Sequence, residues 1–477
     1  MPDPIQPPDL ADTRLRACDK GIPVRAVGLT VAEFLATRPR LPEFWTPLVA
    51  LDDQAIRHNL AVMARWTSAR GLDLMPHGKT TMAPALWRRQ LEAGCRGITL
   101  ATMGQVRTAR SFGIGSIMLA NEVVDERSLS WLAGELADAD FRFICWADSL
   151  AAVEAMNHAL RTAHAPRMLD VCVELGAVGG RAGARSLDEA FAVGHRIAAS
   201  DQLRLAGVAG YEGILGHDRG PASLEAVRTY LANQLELHRR FADLYDDADI
   251  YVSAGGSAYF DLVADAYAAA IAEDAAVVGP RSLDRTTTDV IPGTVRLPLP
   301  IEGTTAATAP LAGAETTAPA SRRTHYSLRA GCYLVHDHGF YRSISPLGEA
   351  YGLLDTPDDL FQPAMIGLAR VLSTPEPGLA LLDGGKRDFP IDEGYPIPLA
   401  LAPDLDGPWT DLAGASITTM NDQHTYLRYP ASLPAGVGDV VRLGLSHPCT
   451  TFDKWRFLPL ITSSADDQVI DLVQTFF

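Results

Sequence analysis

The chain is short of cysteine, of long apolar runs and of positive charge, and each shortage excludes a class of protein. Its six cysteines, Cys18, Cys95, Cys145, Cys172, Cys332 and Cys449, lie in separate segments of 477 residues with no paired spacing. That argues against the disulfide framework of a secreted scaffold and for a reducing, cytoplasmic setting. No apolar run approaches the roughly 20 residues of a membrane-spanning helix, and Met1-Pro2-Asp3-Pro4 lacks the basic and apolar regions of a signal peptide. Lys and Arg number 41 against 58 Asp and Glu, a net charge of −17, and the basic residues are scattered. Neither nucleic acid nor an anionic membrane is expected as a partner, which leaves small molecules.

What is present is ordinary globular material, 47% hydrophobic and 21% charged, long enough for two or three domains. From residue 46 short apolar runs alternate with amphipathic stretches, beginning with Leu48-Val49-Ala50-Leu51 and 72–75 and ending with Ile250-Tyr251-Val252-Ser253. Near-continuous apolar strands separated by helices imply a parallel sheet buried on both faces. About eight such strands predict a (β/α)₈ barrel over 46–280, with an open doubly wound sheet as the other possibility. Residues 281–325, rich in Thr, Ala, Pro and Gly, break the rhythm and predict a low-complexity insertion. Short strand-like runs without long helices over 326–477 predict a mostly antiparallel β domain, against which the proline-rich residues 1–45 are expected to pack.

Several short motifs fall where these elements end. Lys79, in Met75-Pro76-His77-Gly78-Lys79-Thr80-Thr81, follows an early strand. A lysine there is either a solvated loop residue or, at the C-terminal mouth of a barrel, an amine able to form a Schiff base and then act as a base. Gly255-Gly256-Ser257 follows a late strand, where backbone N–H groups either close around a phosphate or form an ordinary turn. Arg181, within Gly179-Gly180-Arg181-Ala182-Gly183, and Tyr211 also follow strands, where they suit an anion and a ring respectively, or a plain turn and a structural tyrosine. His447 and Cys449 are two apart, so on a strand they share a face, and a thiolate with an imidazole favours zinc. A third ligand would be needed, with His424 and Asp422 as candidates.

Taken together and in order, Pro76-His77-Gly78-Lys79-Thr80, the 179–183 run, Tyr211-Glu212-Gly213, Gly255-Gly256-Ser257, Arg329-Ala330-Gly331-Cys332-Tyr333, Asp383-Gly384-Gly385-Lys386-Arg387-Asp388, Asn421-Asp422-Gln423-His424 and His447-Pro448-Cys449 resemble the D-serine dehydratase and D-threonine aldolase family. The resemblance spans about residues 45–460. It implies an alanine racemase-like barrel holding pyridoxal 5'-phosphate, followed by a β domain with a metal beside the cofactor. It further implies that Lys79 is the Schiff-base lysine, that His77, Arg181, Tyr211, Gly255, Gly256 and Ser257 bind the cofactor, and that His447 and Cys449 hold the metal. The His-x-Cys form is similar to the zinc-dependent dehydratase branch, whose substrate is a D-3-hydroxy amino acid such as D-serine; the aldolase branch tends to carry aspartate at the second position. A noncatalytic pyridoxal phosphate carrier is a further alternative, and a homodimer is expected from the family.

Overall fold

A computed structural model describes residues 9–246, 248–278, 323–349, 357–433 and 435–477. The expected insertion at 281–325 falls almost entirely outside them.

Eight parallel strands form one curled sheet: Asp73–Leu74, Ile98–Leu100, Ser116–Glu122, Arg142–Ala147, Leu169–Leu175, Leu203–Gly210, Ile250–Ala254 and Thr324–Leu328. The first and second of these meet through a parallel bridge between His77 and Thr99, which closes the barrel. Apolar residues alternate inward and outward along each strand. Met75, Met118, Ile144, Trp146, Cys172, Ala206 and Tyr251 fill the interior, while the outward-facing set packs on the helices. Those helices begin where the sequence supplies caps: Thr102, Asp125, Ser149 and Ser186 each accept a hydrogen bond from the backbone three residues on. Each such cap contributes about 1 kcal/mol and turns the chain sharply off the strand end.

The second sheet is ten-stranded and mostly antiparallel. Its burial pattern is one-sided in places, as in Ser416–Met420, where only Ile417 and Met420 are buried. At its middle lies Leu48–Asp52, antiparallel to Met365–Glu376 and parallel to Phe457–Ser463. This corrects the expectation that Leu48-Val49-Ala50-Leu51 opens the barrel. All five residues are buried, so as a central strand it carries the same continuous apolar signature as a barrel strand. The eighth barrel strand is instead Thr324–Leu328, whose His325 is buried and bonds Asp73 at 2.7 Å. Asp52 then ties the two units, accepting from Ala55 N at 2.9 Å to cap the next helix and from Ser464 N at 2.6 Å.

Residues 9–45 lie along the second sheet, with Lys20 on Asp388 at 2.8 Å, Arg456 on Asp19 at 2.9 Å and Arg40 bridging Gln468. Among the described residues no helix is long and apolar enough to cross a membrane.

Candidate active site at the barrel mouth

The loops after the barrel strands carry His77, Lys79, Arg181, Tyr211 and Ser257. Lys79 sits half-buried in a tight turn, Gly78–Thr80, five residues past the first barrel strand. Across the mouth Gly331 approaches the same turn so closely that a Cβ there would lie 2.5 Å from the His77 carbonyl oxygen. Glycine is required at that crossing. Burial, with the positive charges of Lys79, Arg329 and Arg181, holds the His77 imidazole well below its ordinary pKa and therefore neutral. Its Nδ1 is buried without a partner among the described residues.

Arg181 reaches over the Tyr211 ring at 4.5 Å from its centroid, and together with Glu174, Leu175 and Ile214 they line a small cleft. Burial and then the nearby Glu212 push the Tyr211 phenol up to about 12. Below them Arg329 is fully buried, donating to Ser253 Oγ at 2.7 Å and to the Gly210 carbonyl, and stacking on Trp146. Glu174, 3% exposed, has its carboxyl raised to about 9 by burial and by a hydrogen-bonded Glu122. Arg329 Nε, Trp146 Nε1, Glu174 Oε2 and Glu122 Oε1 are all buried and lack partners among the described residues. Such a concentration of unpaired polar atoms suits a polar ring rather than an apolar one.

The turn at 255–257 has anion-binding chemistry, and here the anion is internal. Gly255 N and Gly256 N donate to the two oxygens of Glu212 at 3.0 and 2.6 Å, and Glu212 is wholly buried. Ser257 Oγ accepts from Cys332 N at 3.3 Å. Sequence reasoning about paired glycines identified the donors; the Glu212 carboxylate that engages them was quoted only as part of a motif.

His447 and Cys449 come from the second unit and land on the lysine turn of the same chain. They do not lie on a strand: Pro448 takes helical φ and ψ and starts the short helix Cys449–Phe452. A proline has no N–H for a ladder, so the chain leaves the sheet after Val440–Gly444. The two side chains still meet. Cys449 Sγ is 3.3 Å from Thr80 Oγ1 and 3.9 Å from Cys332 Sγ. Hydrogen bonds from Cys332, His447 and Thr80 outweigh burial and hold the Cys449 thiol well below its ordinary pKa. Burial lowers the His447 imidazole, but Cys449 and Asp392 more than offset it, for a pKa of about 9. Asp392 accepts from His447 Nδ1 at 2.5 Å and from Thr450 Oγ1 at 2.5 Å, an orienting carboxylate of the kind that backs a metal-ligating histidine. Thiol, imidazole and backing carboxylate fit a zinc ion chemically. Among the described residues, however, no three His, Cys, Asp or Glu side chains are gathered closely enough to hold a metal as they stand. His424 and Asp422, the candidates for a third ligand, are exposed in the hairpin between Ser416–Met420 and Thr425–Arg428, where Asp422 pairs with Arg387 at 3.3 Å. A larger hollow of about 350 Å³ between the helices Pro221–Arg240 and Phe260–Val278 contains none of these residues.

Comparison with known proteins follows the same division. The family described as alanine racemase, N-terminal domain, matches residues 51–270, and that described as putative serine dehydratase domain matches residues 364–461. A D-threonine aldolase of an Arthrobacter species is 25% identical over 416 residues, 86% of each chain. A D-threo-3-hydroxyaspartate dehydratase of Delftia sp. (strain HT23) is 27% identical over 184 residues, 38% of this chain and 47% of the relative. Among solved structures, the D-threonine aldolase of Filomicrobium marinum superposes with a TM-score of 0.68 at 23% identity, covering 91% of this chain and 96% of its own. The chain thus carries a region matching the alanine racemase N-terminal domain followed by one matching the putative serine dehydratase domain, on the alanine racemase-like fold, and over most of its length it is similar to pyridoxal phosphate-dependent lyases.

Proposed function

We propose that the chain is a zinc-assisted dehydratase that converts a D-3-hydroxy amino acid, such as D-serine, to a 2-oxo acid and ammonia. The observation that carries this reading is the 3.3 Å contact between Cys449 and Thr80, which sets the His447 and Cys449 pair one residue from Lys79. Acid chemistry at Cβ and base chemistry at Cα then act on neighbouring atoms of one substrate.

Lys79 would carry the cofactor and, once released, take the α-proton on Nζ. Bound pyridoxal phosphate supplies the electron sink that makes this proton acidic. His77, held neutral, presents an uncharged imidazole edge, so Lys79 faces no second cation on its own turn. Arg181 and Tyr211 would hold the cofactor's ring, and Gly255, Gly256 and Ser257 its phosphate, where Glu212 now takes the Gly255 and Gly256 N–H groups. His447 and Cys449 would hold zinc, whose Lewis acidity eases departure of the β-hydroxyl group. Asp392 keeps the His447 ring oriented for that task. The thiolate is a soft ligand that selects zinc over the harder ions that oxygen ligands prefer.

A second reading, retro-aldol cleavage to glycine and an aldehyde, is favoured by the Arthrobacter relative, which is similar across most of the chain. Product identification decides between them. With zinc and pyridoxal phosphate supplied, D-serine, D-threonine and D-threo-3-hydroxyaspartate should yield 2-oxo acid and ammonia; glycine with an aldehyde would establish the aldolase instead. Light scattering after gel filtration tests the proposed homodimer, and the six free cysteines accord with a cytoplasmic location.

A further inference from the structure

We infer that Cys332 is a third protein ligand of the metal, making the centre a two-sulfur, one-nitrogen site with one position left for substrate or water. This rests on the metal reading above and extends it to a residue from the barrel side.

Cys332 follows the eighth barrel strand, in the tight turn Cys332–Leu334, and is 5% exposed. Its sulfur lies 3.9 Å from Cys449 Sγ, and Thr80 Oγ1 touches both sulfurs, at 3.9 and 3.3 Å. Two thiolates on one tetrahedral zinc, each about 2.3 Å from it, sit about 3.8 Å apart. The observed separation matches that edge without movement of either sulfur. A disulfide, by contrast, would require the pair to close to about 2.05 Å. His447 supplies the nitrogen: with Nδ1 engaged by Asp392, the other ring nitrogen is the one left for the metal. The three do not yet surround a common point, so on binding the imidazole must pivot about its retained Nδ1–Asp392 hydrogen bond toward the sulfurs. Three protein ligands with a fourth position open is the arrangement of catalytic rather than structural zinc. It also supplies the ligand that a bare His-x-Cys pair lacks.

The test counts sulfurs. X-ray absorption fine structure at the zinc edge of the full-length, pyridoxal phosphate-containing protein should show two sulfur neighbours at about 2.3 Å. Cys332→Ser and Cys449→Ser should each show one, with zinc dissociation at least tenfold faster in chelator competition. Cys332→Ala, with far-UV circular dichroism on both variants, guards against misfolding, and the wild-type count stands alone if a variant fails. Zinc bound through a single sulfur in the wild type, or a count unchanged in Cys332→Ser, overturns the role of Cys332 while leaving the metal pair. Absence of stoichiometric zinc from the wild type overturns both.

Discussion

The two polar corners of the barrel mouth are put together in opposite ways. The corner at 255–257 is made within the barrel sheet, from the ends of neighbouring strands, and its donors are already satisfied by Glu212 at 3.0 and 2.6 Å. The sulfur corner takes Thr80 and Cys332 from the loops after the first and eighth barrel strands, neighbours in the barrel but far apart in the chain, and Cys449 from the short helix beyond the second sheet's Val440–Gly444, and its closest contact is a 3.3 Å approach of hydroxyl to sulfur. Charge is neutralised inside the first corner, whereas the second concentrates soft ligands from three distant segments. A corner made within one sheet is part of what keeps the barrel stable; a corner assembled across units is free to serve a ligand.

The sharpest way to break the contrast is at Lys79, which lies between the corners. Lys79→Ala should abolish turnover, by at least about a thousandfold, and remove the visible absorbance of covalently held cofactor, with little change in melting temperature. Next is Cys449→Ala, expected to lower dehydration by about a hundredfold or more and to weaken zinc retention at least about tenfold, while cofactor absorbance persists; chelator competition beside a pyruvate assay checks both. On the other corner Glu212→Gln should act on stability rather than on metal. Losing the charge on two backbone hydrogen bonds costs about 1.5–3 kcal/mol, measurable by urea denaturation, with zinc content unchanged. The mildest test is pH. The Glu174 carboxyl, raised from 4.5 to about 9 in the folded state, binds a proton that the unfolded chain has lost, so this group lowers stability as pH rises between those values. Glu174→Gln cannot ionise, and its melting temperature should therefore gain on wild type between pH 5 and pH 9.

The βα rhythm from residue 72 onward is plain in the sequence because the barrel strands are mostly buried and four of the following helices open on a Ser, Thr or Asp cap. Leu48–Asp52 carries the same apolar signature for a different reason, being flanked on both sides in the second sheet. Periodicity reports burial and says nothing about partners. Thr324–Leu328 is hidden the other way: Thr324, His325 and Ser327 look like loop, and pairing with Asp73, Arg96 and Asp249 makes a buried histidine acceptable. In the site, Lys79, Arg181, Tyr211, His447 and Cys449 stand out because their neighbours form motifs. Glu122, Glu174 and Asp392 sit in unremarkable local sequence, and Cys332 was quoted only within the Arg329–Tyr333 run; all four gain meaning from residues tens to hundreds of positions away. An acidic residue just after a buried apolar run, as Glu174 follows Val171-Cys172-Val173, is a local sign that was available.

Leu48–Asp52 also sets a timetable for synthesis. It leaves the ribosome early, yet its partners begin at Met365 and Phe457, more than three hundred residues later. At roughly 5–20 residues per second, an unpaired strand with four successive apolar residues waits tens of seconds for the segments that will flank it. Newly made chains therefore depend on something else, a chaperone or transient packing on the helix Asp53–Ser68, to keep that strand from pairing with its neighbours on the polysome.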